Sequence, residues 1–201
     1  MAKRTKQIYV AVLLVVFVGA GAALAWRQVK ERQQRQADEE KVALLQEQSR
    51  FLERLNDLLG DAQGGALSEQ EVAQLQSILS EVFPDLPKLP TGSIRTMPLE
   101  EFRQLSQNQK ADYLDRLNRI QGIVKNVWDR IERIGESVDR WEAEGGVDRY
   151  KAQGHGLKKD VVPRYQLGRH TSTVFLLMAM EQLSDVIEKA TKELPKKDAG
   201  Q

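Results

Sequence analysis

The sequence predicts an all-α protein with a single N-terminal transmembrane helix, a polar helical stalk, and a helical-hairpin or bundle domain with coiled-coil-like packing. Three observations predict this class. An uncharged apolar run lies near the N-terminus, apolar residues further along are spaced alternately three and four apart, and glycines and prolines separate these segments. We expect five segments, with boundaries at 1–26, 27–60, 61–98, 99–195 and 196–201.

The first element is a run of twenty residues without a formal charge, Gln7–Trp26. As a helix it would be about 30 Å long, which matches the hydrocarbon core of a bilayer. Basic residues flank the run, and Tyr9 and Trp26 lie near its ends, where aromatic rings favour the headgroup region. Gly19 and Gly21 each precede an alanine by four residues, a spacing that permits close approach of a second helix. The run therefore predicts a membrane anchor.

A cleaved signal peptide is the alternative interpretation of the same residues. Ala23 and Ala25 form an A-x-A pattern, which would place the cleavage site before Trp26. The length of the apolar run and the basic residues that follow it favour an uncleaved anchor. We expect a bacterial inner membrane protein whose C-terminal domain lies outside the cytoplasm. Cleavage would instead make the protein periplasmic or secreted.

The stalk at 27–60 contains neither proline nor glycine before Gly60. Its first half is almost entirely polar, and apolar residues such as Leu45, Leu52 and Leu59 gather in the second half. This pattern predicts an amphipathic helix that would make a poor coiled coil, because polar residues interrupt the seven-residue spacing.

A short helix and a proline-rich segment follow. Ser68 and Glu71 have the spacing of a capping box, and Pro84 ends the helix that they begin. Four prolines occur between 84 and 98, so this segment is predicted to be an extended linker or a strap on the surface.

The strongest periodicity begins at Tyr113. Apolar residues recur there at alternating intervals of four and three, without a polar interruption, on a helix expected over 107–144. Gly122 and Gly135 lie inside this helix, and each marks either close approach of a second helix or a tolerated glycine. We expect this seam to form a helix–helix core or a partner contact through Leu117, Ile120, Val124, Val127, Ile131, Ile134, Val138 and Trp141.

A basic, glycine-containing segment at 145–170 is predicted to be a loop. It contains six basic and two acidic residues, a net charge of +4. The segment is either a solvated connector or a contact surface for an anionic partner, through Lys158, Lys159, Arg164 and Arg169. A last helix is expected to begin near Thr171–Thr173, which offer N-caps, and to end at Pro195. Its first turns are apolar on all sides, which predicts burial in the domain, in a partner or against a membrane.

The composition argues against several functional classes. The chain has no cysteine, which excludes disulfides, thiolate metal sites and cysteine nucleophiles. The near-zero net charge argues against a dedicated nucleic-acid-binding protein. The sequence lacks the usual hydrolase, phosphate-loop and zinc-protease motifs. We therefore expect no enzymatic activity, no cofactor, no metal site and no small-molecule substrate.

Two functions remain. The first is a single-pass membrane-anchored scaffold or accessory subunit of a larger complex, which would act through protein partners or a second copy of the chain. The second is a lipid- or ligand-binding helical module tethered to the bilayer. An apolar cavity would favour the second function, and a long exposed apolar stripe would favour the first.

Overall fold

A computed structural model describes residues 2–61, 66–154, 156–158 and 160–194, with side chains from residue 25 onward. The described residues form helices and connecting segments, with an isolated antiparallel bridge between Leu67 and Ile94. The all-α class is therefore confirmed. The helices are α1 (Ala2–Asp61), α2 (Glu69–Val82), α3 (Leu99–Gln104), α4 (Gln107–Ala143), α5 (Gly146–Ala152) and α6 (Val161–Lys192).

The predicted boundaries of α2 and α4 agree with the structure. Ser68 caps α2, where its hydroxyl accepts from the Glu71 amide and the Glu71 carboxylate accepts from the Ser68 amide. Val72, Leu75, Ile78 and Leu79 of α2 are buried. Helix α4 ends at Ala143, next to Gly145, which adopts a left-handed conformation with φ of 75°.

Two predictions about the last third of the chain are wrong. The segment 145–170 is not a loop, because α5 occupies its first part and α6 begins at Val161. Pro163 lies in the first turn of α6, where the missing amide would have no partner within the helix. Thr171–Thr173 are not N-caps, because they lie inside α6; the Thr171 hydroxyl instead donates to the Leu167 carbonyl.

The chain divides into two compact units. Unit 1 comprises Met1–Leu44 and Trp141–Leu157, and unit 2 comprises Leu45–Arg140 and Lys158–Gln201. Where side chains are described, no helix is long and apolar enough to cross a membrane. The predicted span is not tested, since its residues 7–24, with Tyr9, Gly19 and Gly21, lie outside that part of the chain.

A buried carboxylate organises unit 1. Asp38 is fully buried and accepts hydrogen bonds from Trp141 Nε1 at 2.8 Å, from Arg149 at 3.3 and 3.4 Å, and from Gln153 at 3.3 Å. Burial alone would raise the pKa of Asp38, but the hydrogen bonds from Trp141 and Arg149 hold that pKa below its ordinary value. Asp38 therefore remains ionised at neutral pH and joins three helices within this unit.

The core of unit 2 contains apolar residues from α1, α2, α4 and α6. Phe51 and Phe83 meet edge to face, with ring centroids 5.3 Å apart. Asn56 of α1 bridges to α6, where its amide donates to the Gly168 carbonyl at 3.0 Å and its oxygen accepts from the Ser172 hydroxyl at 2.6 Å. These polar contacts satisfy groups that helix packing would otherwise bury without partners.

A charged network joins α4 to α6 in the same unit. The Arg169 guanidinium donates to Glu132 at 2.9 Å and to Asp139 at 2.7 Å, while its side chain is only 17% exposed. The hydrogen bond from Arg169 is the main cause that lowers the pKa of Glu132. Gly135 makes this geometry possible, because a Cβ there would overlap the Arg169 guanidinium. Of the two glycines inside α4, Gly135 therefore marks a close approach, and Gly122 has open space around it.

The two glycines of α4 allow a matched test of this network. We expect Gly135→Ala to lower the melting temperature of the full chain, because it displaces the Arg169 guanidinium from both carboxylates. We expect Gly122→Ala to raise it, since alanine favours a helix interior by about 1 kcal/mol over glycine. Thermal unfolding followed by circular dichroism measures both variants. Equal stabilisation by the two substitutions would contradict a structural role of Gly135.

Candidate functional site: an apolar cavity in unit 2

An apolar cavity of about 440 Å³ lies inside unit 2. This volume falls within the roughly 300–1,000 Å³ that small-molecule sites occupy. Residues from four helices and from the segment after α2 line the cavity, among them Leu55, Leu79, Ile94, Leu117, Val127, Phe175 and Leu183.

Polar side chains are confined to a few positions on the cavity wall. Arg95, Thr96 and Gln182 line it and are exposed to solvent. Met178 also lines the cavity and is 52% exposed. The cavity therefore opens to solvent beside these residues, with an apolar interior and a polar margin.

The proline strap, residues 83–98, covers one side of the cavity. It forms neither helix nor strand and turns at 84–86 and at 91–92, and it contributes Leu89, Ile94, Arg95 and Thr96 to the lining. Leu67 and Ile94 exchange backbone hydrogen bonds of 2.7 and 2.8 Å, which fix the strap to the segment before α2. The strap is thus a wall of the cavity, a role that the sequence did not reveal.

Side chains of α2 and α4 hold the strap in place. Arg116 donates to the carbonyls of Thr91 and Ser93 at 2.9 and 2.7 Å, and Met97 N donates to the Tyr113 hydroxyl at 2.7 Å. Leu89 N donates to Gln76 Oε1 at 2.6 Å. Prolines cannot donate backbone hydrogen bonds, so the strap cannot be held by the hydrogen bonds of a helix or a sheet. These side-chain contacts hold it instead.

A charged pair anchors the beginning of the strap. The Arg130 guanidinium donates two hydrogen bonds of 2.6 Å to Asp85 and lies over the Phe83 ring, 5.3 Å from its centroid. The hydrogen bond from Arg130 lowers the pKa of Asp85 below its ordinary value. This bidentate geometry fixes the direction in which the strap leaves α2.

The predicted seam of α4 is largely buried. Leu117, Ile120, Val127, Ile131 and Val138 are at most 3% exposed. Val124 and Ile134 are half-buried, and Trp141 is buried in unit 1. Within the seam, Leu117, Ile120, Val124 and Val127 line the cavity. In unit 2 the seam is thus an internal surface, part of which faces the cavity.

The predicted basic contact residues have different environments. Lys158 is exposed, and Arg164 is exposed beside Asp160, with 3.7 Å between Nε and Oδ2. The Arg169 guanidinium already forms ion pairs with Glu132 and Asp139. Lys159 lies outside the described residues. A contact of these residues with an anionic partner stays a prediction.

Helix α6 carries an exposed apolar face. Leu167, Val174, Leu177 and Met178 are 68, 40, 45 and 52% exposed. Their spacing places them on one side of the helix, whereas Leu176 and Leu183 on the other side are buried. The first turns of the predicted last helix are therefore buried on one side only.

Titratable groups in the described part of the chain provide no evident metal site. No cluster of three or more His, Asp or Glu residues there is arranged to hold a metal ion. His170 is exposed, and His155 lies outside the described residues. Tyr165 is buried with an unpartnered hydroxyl, and burial raises the pKa of Tyr165 to about 12.

Sequence reasoning missed the cavity and the Asp38 cluster for different reasons. The apolar residues of the strap, such as Leu89 and Ile94, were a usable signal, because a wholly solvated linker has little need of them. Asp38 lies in a strongly charged stretch, where nothing distinguishes it from its exposed neighbours. Its burial depends on Trp141 and Arg149, which are more than 100 residues away in the sequence.

Comparisons with known proteins identify no relative: no protein-family model, curated protein or solved structure matches this chain.

Proposed function

We propose that the protein is a membrane-tethered helical module that binds an apolar or amphiphilic ligand in the cavity of unit 2. The cavity is the observation that carries this proposal. Its lining is apolar along α1, α2, α4 and α6, and its polar side chains lie where it meets solvent. This distribution suits a ligand with a long apolar part and a polar end, because the interior could not hydrogen-bond a buried polar group.

The cavity offers a position where the proposal can be tested with a single substitution. Ala179 lines the cavity from α6, and a larger side chain there would occupy the space of a ligand. Ala111 is exposed on α4 and provides a matched control. We expect the full chain, held in an amphipathic polymer, to bind a fluorescent long-chain alcohol saturably. Ala179→Trp should weaken that binding about tenfold or more, equivalent to about 1.4 kcal/mol, and Ala111→Trp should leave it unchanged.

Two outcomes would contradict the proposal. Absence of saturable binding by the unmodified chain would refute the proposal. Equal affinities of the Ala179→Trp and Ala111→Trp variants would show that the bound alcohol lies elsewhere. Circular dichroism of each variant verifies that the helices are intact.

The tether in this proposal is the apolar run Gln7–Trp26, retained as an uncleaved anchor in a bacterial inner membrane. The length of the run and the basic residues on both sides support it. The helical units would lie outside the cytoplasm. We expect the chain to remain in the membrane fraction after an alkaline wash, with its N-terminal residues intact by mass spectrometry. A form that begins at Trp26 and leaves the cell on osmotic shock would instead indicate a cleaved signal peptide.

A scaffold or accessory subunit is the second candidate, and the exposed apolar face of α6 favours it. Side chains such as Leu167 and Leu177 would lose contact with water if a protein partner or a second copy covered them. We expect a photoreactive residue at position 177 to give a discrete protein adduct in intact membranes, and the same residue at position 111 to give none. Identical adduct patterns from the two positions would remove the support for this candidate.

A further inference from the structure

We infer that the ligand is a single-chain amphiphile with an anionic headgroup, which Arg95 recognises at the margin of the apolar cavity. This inference rests on the proposed ligand-binding function and specifies the chemical class of its ligand.

A second, smaller cavity adjoins the apolar one. It has a volume of about 140 Å³ and shares Ile94, Arg95, Leu117 and Ile120 with the lining of the larger cavity. Its remaining lining includes Ser93, Tyr113 and Arg116. The strap residues Ile94 and Arg95 therefore line both cavities, and the smaller one adds the side chains of Tyr113 and Arg116.

The charged side chains that line the two cavities have one sign. Arg95 and Arg116 line the smaller cavity, and the described lining of either cavity contains no aspartate or glutamate. Arg116 donates to two backbone carbonyls, which carry no formal charge. The charged groups of the lining therefore favour an anion once Arg95 is released from Glu101, and guanidinium groups suit carboxylate and phosphate oxygens in particular.

Arg95 is available for a ligand because its own ion pair is weak. Its Nη2 lies 3.4 Å from Glu101 Oε2, and the two side chains are 63 and 52% exposed. Exposed pairs with such geometry contribute little to stability, so an incoming anion can displace Glu101. By contrast, Arg116 holds the strap, so its substitution would disturb the cavity wall as well as the charge.

The size of the apolar cavity favours one acyl chain. Its volume of about 440 Å³ lies in the lower half of the range for small-molecule sites. A carboxylate or phosphate headgroup would then lie beside Arg95 while the chain extends towards Leu183 and Val127. A free fatty acid and a lysophospholipid share this chemistry, and the experiment below distinguishes them.

The test compares charged and neutral ligands of the same chain length. Oleate, oleyl alcohol and oleoyl lysophosphatidylglycerol are titrated against the full chain in an amphipathic polymer, with displacement of a fluorescent long-chain alcohol as the signal. We expect oleate to bind about tenfold more tightly than oleyl alcohol, because the Arg95 guanidinium donates a charge-assisted hydrogen bond to the carboxylate. This preference should decrease as salt concentration rises. Binding of oleate but not of the lysolipid would identify a free acid as the ligand class.

Two variants of the Arg95–Glu101 pair distinguish recognition of the anionic headgroup by Arg95 from a structural role of the ion pair. Arg95→Gln should abolish the preference for oleate and leave the affinity for oleyl alcohol unchanged. Glu101→Gln breaks the same ion pair but keeps the guanidinium, so it should preserve or increase the affinity for oleate. Equal losses in both variants, or equal affinities of the unmodified chain for oleate and oleyl alcohol, would overturn the inference while alcohol binding still supports the proposed function. Failure of all three ligands to bind would overturn both.

Discussion

The apolar seam of α4 must be buried along its whole length, and the organisation of unit 2 follows from that requirement. Helix α6 covers part of the seam, where Leu183 packs against Leu117 and Ile120. Polar contacts then fix the register between the two helices, through Arg169 near one end and the hydrogen bond from Gln121 to Ser184 near the other. Helices α6 and α1 leave part of the space beside α4 unfilled. The strap covers this space, and the volume that remains is the cavity.

Local patterns in the sequence predict the helices well and the tertiary cavity poorly. The bounds of α4 follow from a 3–4 repeat and two terminal glycines, and those of α2 follow from Ser68, Glu71 and Pro84, all of which act within a few residues. The start of α6 is mispredicted because Pro163 and Gly168 are helix breakers in isolation. Gly168 instead lies close to Leu52 of α1, where the small residue permits the contact. Tertiary packing thus overrides local propensity at this helix.

The candidate site depends on contacts that no local pattern encodes. Ile94 and Arg95 acquire their positions because Arg116 and Tyr113 bind the strap backbone, and Arg116 shows no sign of this task among the other basic residues of α4. The seam prediction treated the apolar positions on α4 as one continuous contact surface. It did not distinguish Ile131, which is buried among helices, from Val124, which borders the cavity.

The bridge from Asn56 to Gly168 and Ser172 also constrains how the chain folds during synthesis. These partners are separated by 112 and 116 residues. At about 5–20 residues per second, α1 would leave the ribosome roughly 6 to 23 seconds before the part of α6 that pairs with it. During that interval Asn56 has neither of these partners, whereas Phe51 already has Phe83 of the strap to pack against. The bridge between α1 and α6 therefore closes only after α2, the strap and α4 have been synthesised.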